Sequence, residues 1–239
     1  MFEDGLRMRD IPYQLVGGTK FYDRREIKDM IGYLRLIINR NDDVSFQRVV
    51  NFPKRKIGGA TVEKRIEFAG TRNLSLFEAV FEAANEGIFN KGTQGKLSSF
   101  CNLIMKLEAD CHDLLPGDTI THIYQTSGFE QEMREIDQQN KTDRIENLLE
   151  FVTVAQEYEK NIDVYGKEAL AAFLDELSLS DDMDQKAEEM DAVTLMTLHS
   201  SKGLEFPYVF LTGMEEGLLP HYISSQSEED VEEDRKSVG

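Results

Sequence analysis

A change of period constrains this chain more than any other feature. From Arg24 to about residue 180, apolar residues recur at helical spacing, as in Ile27, Met30, Ile31, Leu34, Ile37 and Ile38. On either side the pattern gives way to short apolar runs: "IPYQLV" at 11–16, "AVTLM" at 192–196 and "YVFLTG" at 208–213. A helix repeats every 3.6 residues and a strand every 2, so one segment cannot serve as both. The order is strand, long helical block, strand, short helix, strand. An α/β fold interrupted by a large all-helical insert accounts for it, with the first strand and the two last ones in one parallel sheet. Residues 1–10 read as the tail of a helix leading into the first strand.

Inside the block, "VSFQRVVNF" predicts a short helix, and Ser75 with Glu78 three residues on predicts a capping box. Leu97, Cys101, Ile104 and Leu107 mark a buried face, and Gly128 a helix end. "RIENLLEFVTVAQEYEK" and "KEALAAFLDELS" predict two more helices, and the acidic stretch 178–191 reads as an exposed linker.

Composition excludes several classes. The two cysteines, Cys101 and Cys111, fall in one predicted helix and cannot pair there, and no CxxC or Cys/His cluster suggests a metal. Met1 is followed at once by charged residues and no apolar run approaches ~20 residues. The expectation is a cytoplasmic protein with free thiols and no membrane partner. The net charge of −18 argues against a general nucleic-acid binder. What matters is then where positive charge collects.

It collects in "NFPKRKIGGATVEKR", 51–65, where Lys54, Arg55, Lys56, Lys64 and Arg65 face one acid, Glu63. Ile57, Gly58 and Gly59 lie between the short helix and one expected to start near Thr61. Such a loop presents amides at a helix N-terminus, where a phosphate oxygen can bind. The alternative is a solvated basic turn whose exposed charges contribute little to folding.

The second candidate is "TLHSSKGLEF", 197–206, in the turn after a predicted strand, where α/β sheets bind ligands. Thr197 and Ser200 offer hydroxyls, His199 a ring nitrogen and Lys202 a charge. Gly203 allows close backbone approach, and Glu205 can accept from a hydroxyl such as a ribose. An ordinary strand-to-helix turn is the competing reading. GxxxxGK followed by Ser or Thr occurs nowhere in the chain. His112, His122 and His221 are isolated, and the acids of 227–234 are unpatterned.

Four blocks in order, "IPYQLVGGTKFYDRREIKDMIGYLRLIINRNDD", "RVVNFPKRKIGGATVEK", "RIENLLEF" and "VTLMTLHSSKGLEFPYVFLTGMEEGLLPH", resemble the C-terminal half of the UvrD/PcrA/Rep-type superfamily 1 DNA helicases. The resemblance implies a partial second RecA-like (P-loop NTPase-type) motor domain at 1–37 and 193–239, with its helical duplex-binding subdomain at 38–192. It implies a parent that is an ATP-dependent 3′-to-5′ helicase of DNA repair or replication, using ATP and Mg²⁺. The loop would touch duplex DNA through Lys54, Arg55, Lys56, Ile57, Gly58, Gly59 and Thr61, with Lys56 standing where the family's Gly-Ile-Gly begins. Thr197 and His199 match residues near the single strand, Gly203 and Glu205 the nucleotide side, and Ser200 and Lys202 the coupling turn between them. The first RecA-like domain, the preceding arginine motif and the final arginine motif have no match here. This chain alone is therefore expected to hold no complete catalytic set and no cofactor. Expected partners are DNA, the N-terminal RecA-like domain and repair proteins. A helical regulatory module without DNA contact is the alternative.

Overall fold

Helical periodicity from Arg24 onward becomes an unbroken succession of helices in the computed structural model, which describes residues 2–7, 9, 11–16, 21–140, 142–186, 192–201 and 203–213. In chain order these residues form α1 (Phe2–Arg7), β1 (Tyr13–Val16), a 3-10 turn (Phe21–Asp23), α2 (Arg25–Ile38), α3 (Asp43–Val49), α4 (Gly59–Arg72) and α5 (Leu76–Glu86). There follow α6 (Lys91–Asp110), α7 (Pro116–Thr126), α8 (Phe129–Asn140), α9 (Arg144–Glu159), α10 (Gly166–Lys186), β2 (Val193–Met196) and α11 (Leu198–Ser201). Two compact units result: Phe21–Asp181, and Met1–Lys20 with Asp182–Gly239.

The helical unit is built around α2, which packs against α3, α6, α7 and α9. Ile27, Met30, Tyr33, Leu34, Leu36 and Ile37 are all buried. At Gly32 an added Cβ would lie 2.8 Å from Val49 Cγ1, so the missing side chain is what lets α3 approach. Two α2 carboxylates go inward with these side chains. Asp29 takes Arg48 Nε at 2.9 Å, and Glu26 accepts from Asn147 Nδ2 at 2.6 Å. Burial raises the Asp29 pKa above the usual carboxylate value, although Arg48 and Arg25 pull it down. Local signals start the helices. Asp42 caps α3, accepting from the amides of Val44 and Ser45 at 3.1 Å each. The Ser75–Glu78 capping box on α5 is formed in both directions, and Leu97, Cys101, Ile104 and Leu107 are fully buried as their spacing requires.

In the other unit β1 and β2 pair in parallel, Tyr13 opposite Val193 through Val16 opposite Met196. Gln14 Nε2 donates to Thr194 Oγ1 at 2.8 Å across the pair. A parallel pair needs a crossover, and here the whole helical block supplies it.

Three expectations are corrected. The run 208–213 is not a strand: Tyr208, Val209 and Phe210 are 87 %, 71 % and 91 % exposed. A strand exists only against a partner, and no strand among the described residues pairs with this one. The stretch 178–191 is no linker as far as Lys186, because α10 continues through it; residues 187–191 lie outside the described residues. And α4 begins at Gly59 rather than Thr61.

Gly166 opens α10 with φ +59, and a Cβ there would sit 1.9 Å from the His112 carbonyl oxygen. Backbone cannot swing away as a side chain can. Gly166→Ala should therefore cost more than ~2 kcal/mol, read from the urea midpoint of unfolding.

Candidate nucleic-acid interface

The basic loop runs from the end of α3 to the start of α4, and its shape is set by one cation. Arg55 turns inward: Nη1 donates to the carbonyls of Val49, Phe52 and Pro53 at 3.1, 2.9 and 3.2 Å. Nη2 donates to Tyr33 Oη at 2.7 Å, and the guanidinium lies 4.9 Å from the Phe100 ring centre. Val49 ends α3, and Phe52 and Pro53 lie in the loop just beyond it, so Arg55 ties the loop back onto the end of that helix. Tyr33 in turn donates to the Phe52 carbonyl at 2.7 Å. Its phenol is pushed above its ordinary pKa by burial, against the pull of Arg55, and stays protonated to make that bond.

The rest of the loop hangs on this knot. Asn51 Oδ1 accepts from the amides of Arg55 and Ile57 at 3.0 and 3.1 Å, and Ile57 is buried. Lys54 reaches the buried Glu132, Nζ to Oε1 at 3.1 Å, with its own amide on Oε2 at 3.2 Å. Lys56 is exposed and has φ +57. That is the left-handed conformation a glycine adopts freely and other residues adopt at a cost. Its carbonyl accepts from Lys96 Nζ at 3.0 Å. Gly58 and Gly59 follow as the N-cap and first residue of α4, exposed, with open space where each Cβ would be. Thr61 donates its amide to the Gly58 carbonyl at 2.9 Å.

The sequence had grouped Arg65 with these charges, and the structure removes it. Its side chain is buried, 4.0 Å from the Phe46 ring centre, with no hydrogen-bond partner on any guanidinium nitrogen among the described residues. Burial pushes its pKa down to about 10. Nor are the loop cations all spare surface charge, because Arg55 is structural. Sequence reasoning missed Asn51, a local loop acceptor, and Tyr33, Lys96 and Glu132, which come from distant positions and carry no local signature.

In the second candidate, Thr197 Oγ1 lies 2.9 Å from Ser200 Oγ and accepts the Ser200 amide at 3.2 Å, which caps the four-residue α11. Gly203 has φ +84 and open space above it, and Glu205 is exposed. Lys202 and the side chain of His199 lie outside the described residues. So do His221 and the acids of 227–234.

His112 and His122 stand beside Asp113 and Asp110 at 2.7 and 3.1 Å. An open cleft of about 490 Å³ near His112 has its cations already on Glu108, Arg40 Nε at 2.7 Å and Lys167 Nζ at 2.5 Å. Among the described residues no cluster could hold a metal ion, and no helix is long and apolar enough to cross a membrane.

The family profile of UvrD-like helicase C-terminal domains matches residues 1–238. The ATP-dependent DNA helicase PcrA of Staphylococcus epidermidis is 42 % identical over 238 residues, 99 % of this chain and 32 % of that protein. The enzyme of the same name from Staphylococcus aureus is 42 % identical over 232 residues, 97 % of this chain and 31 % of its own length. The chain thus spans about a third of the length of the curated relatives it matches.

Two substitutions separate the loop's structural cation from its exposed one. Arg55→Ala should cost ~2–4 kcal/mol, since it removes the donor to the Pro53 carbonyl and to Tyr33 Oη together with the packing of the guanidinium on Phe100. Lys56→Gly should add ~1 kcal/mol by removing the left-handed strain. Chemical denaturation of both variants checks the opposite signs.

Proposed function

The chain belongs to the UvrD-like helicase C-terminal domain family, and from that premise we propose that it is the part of an ATP-dependent 3′-to-5′ DNA helicase that grips duplex DNA with the 54–61 loop. One observation carries the reading. In a chain of net charge −18, the exposed amides of Gly58 and Gly59 open a fourteen-residue helix, with the Lys56 ammonium beside them. A helix N-terminus, free amides and a mobile cation together make a phosphate site. Arg55 shapes the loop, and Lys54 is held partly by Glu132. The direct phosphate contacts are then the Gly58 and Gly59 amides and Lys56, with Thr61 next in the first turn of α4.

The 197–205 turn contributes to the motor. Thr197 and His199 face single-stranded DNA, Gly203 and Glu205 one side of ATP, and Ser200 and Lys202 lie in the short helix and turn that join the two. Gly203 leaves room for a nucleotide and Glu205 offers a ribose hydroxyl an exposed carboxylate with no partner among the described residues, so these residues fit that role. When bound, ATP with Mg²⁺ supplies the phosphoryl group whose hydrolysis drives the motor; the phosphate cradle lies elsewhere in the parent. In this reading the second RecA-like domain takes residues 1–37 and 193–239 and its duplex-binding insert 38–192, with α2, at the end of the first part, packed into the helical unit; the parent acts in DNA repair or replication in the cytoplasm.

Gly58→Asp tests the loop without risking the fold. Gly58 has φ −72 and ψ 153 at the N-cap of α4, where Asp should stabilise the helix by a few tenths up to ~1 kcal/mol. The same carboxylate would repel phosphate. The expected result is a higher melting temperature together with loss of duplex binding at low salt, by fluorescence anisotropy. Duplex affinity equal to the parent chain's would show that the loop is only a turn. The purified chain should also show no DNA-stimulated ATP hydrolysis, because charge-stabilising and phosphate-cradling groups must act together; measurable turnover would refute this.

A further inference from the structure

In a chain with 45 acidic residues among 239, the two longest runs without any are 44–62 and 87–107. The first holds the loop. The second is the approach to α6 and most of that helix. The fold brings them together, since Lys96 on α6 donates to the Lys56 carbonyl at 3.0 Å. One consequence is visible in the ion pairs. Lys28, Lys54, Lys160 and Lys167 each meet a carboxylate. Lys56, Lys64, Lys91, Lys96 and Lys106 meet none among the described residues, and all lie in or beside these two segments.

On α6 the exposed residues Lys91, Gly95, Ser99, Asn102 and Lys106 follow one another at spacings of three or four, so they form a single stripe along one face. It carries two unneutralised cations at its ends, hydroxyl and amide donors between them, and a glycine with open space where a side chain would stand. At 1.5 Å per residue the stripe is about 22 Å long, which matches some six base pairs of one DNA strand.

We propose that this α6 stripe is a second duplex-binding surface, in which Lys91 and Lys106 contact backbone phosphates some six base pairs apart while Ser99 and Asn102 supply hydrogen bonds between them. Lys96 acts differently: it holds the Lys56 carbonyl and so joins the stripe to the loop as a positioning residue. The proposal rests on the reading of this chain as a duplex binder and extends it beyond the loop. Contacts of this kind read shape and charge, not sequence.

The test compares three variants of the 239-residue chain by anisotropy with a fluorescent blunt duplex over a salt series. They are Lys91→Ala/Lys106→Ala, Lys28→Ala/Lys160→Ala as a control with the same change of net charge, and Gly58→Asp. Lys91→Ala/Lys106→Ala should reduce the slope of log affinity against log salt by about 1.8, the value for two phosphates, with an unchanged melting curve. The control should change the slope far less. If the two double variants behave alike, the stripe is an ordinary solvated face and the inference is overturned. Gly58→Asp separates the failures. Its loss of binding while Lys91→Ala/Lys106→Ala binds normally leaves the loop reading standing and removes the stripe. Normal binding by Gly58→Asp with weakened binding by Lys91→Ala/Lys106→Ala removes the loop reading and leaves the stripe as the duplex surface.

Discussion

Everything in the helical unit depends on α2 being surrounded. A helix packed against four others has little solvent-facing surface, so its polar groups must find partners in the interior. That requirement reaches through Tyr33. Its hydroxyl donates to the Phe52 carbonyl and accepts from Arg55, so the loop after α3 is tied to the middle of the core. Asp29 and Glu26 do the same for α3 and α9 through Arg48 and Asn147. Removing one member of such a network leaves a buried group unpaired, which is costlier than the bond was favourable.

A basic loop anchored in this way divides its charges. Arg55 has its guanidinium among carbonyls and a ring, and has lost its freedom to follow a ligand. Lys56, with the glycines after it, keeps that freedom. The division suits the two side chains: a planar fork with several donors can satisfy several carbonyls at once, whereas an ammonium on a flexible stem adapts to a phosphate. Arg65 shows the opposite extreme, a cation inside the core against Phe46 with no hydrogen-bonding partner among the described residues. Net charge therefore predicts little about binding here. What counts is which cations face water without a carboxylate nearby, and among the described lysines those lie on the loop, α4 and α6.

Much of the architecture was legible in the chain itself. The change of period separated helices from strands, because side-chain direction repeats differently in the two. Asp42, Ser75 with Glu78, and Gly128 marked helix ends through interactions spanning a few residues. The resemblance to the UvrD-like family was likewise a property of the sequence, carried by several blocks in order. So was the position of the basic loop.

Other features were decided only when distant residues met. "YVFLTG" has the composition of a strand, yet a strand is defined by its neighbour, and composition says nothing of whether one is present. Lys54, Arg55, Lys56 and Arg65 look alike in the sequence. Burial among residues from α2, α3, α6 and α8 turned Arg55 into a tie between the loop and the end of α3, tied Lys54 to Glu132, sent Arg65 into the core and left Lys56 in water. Tyr33, Lys96 and Glu132 joined the loop for the same reason. Backbone propensity and capping act over a few residues and can be read locally, whereas desolvation and pairing of charge depend on the three-dimensional surroundings, which only the tertiary structure supplies.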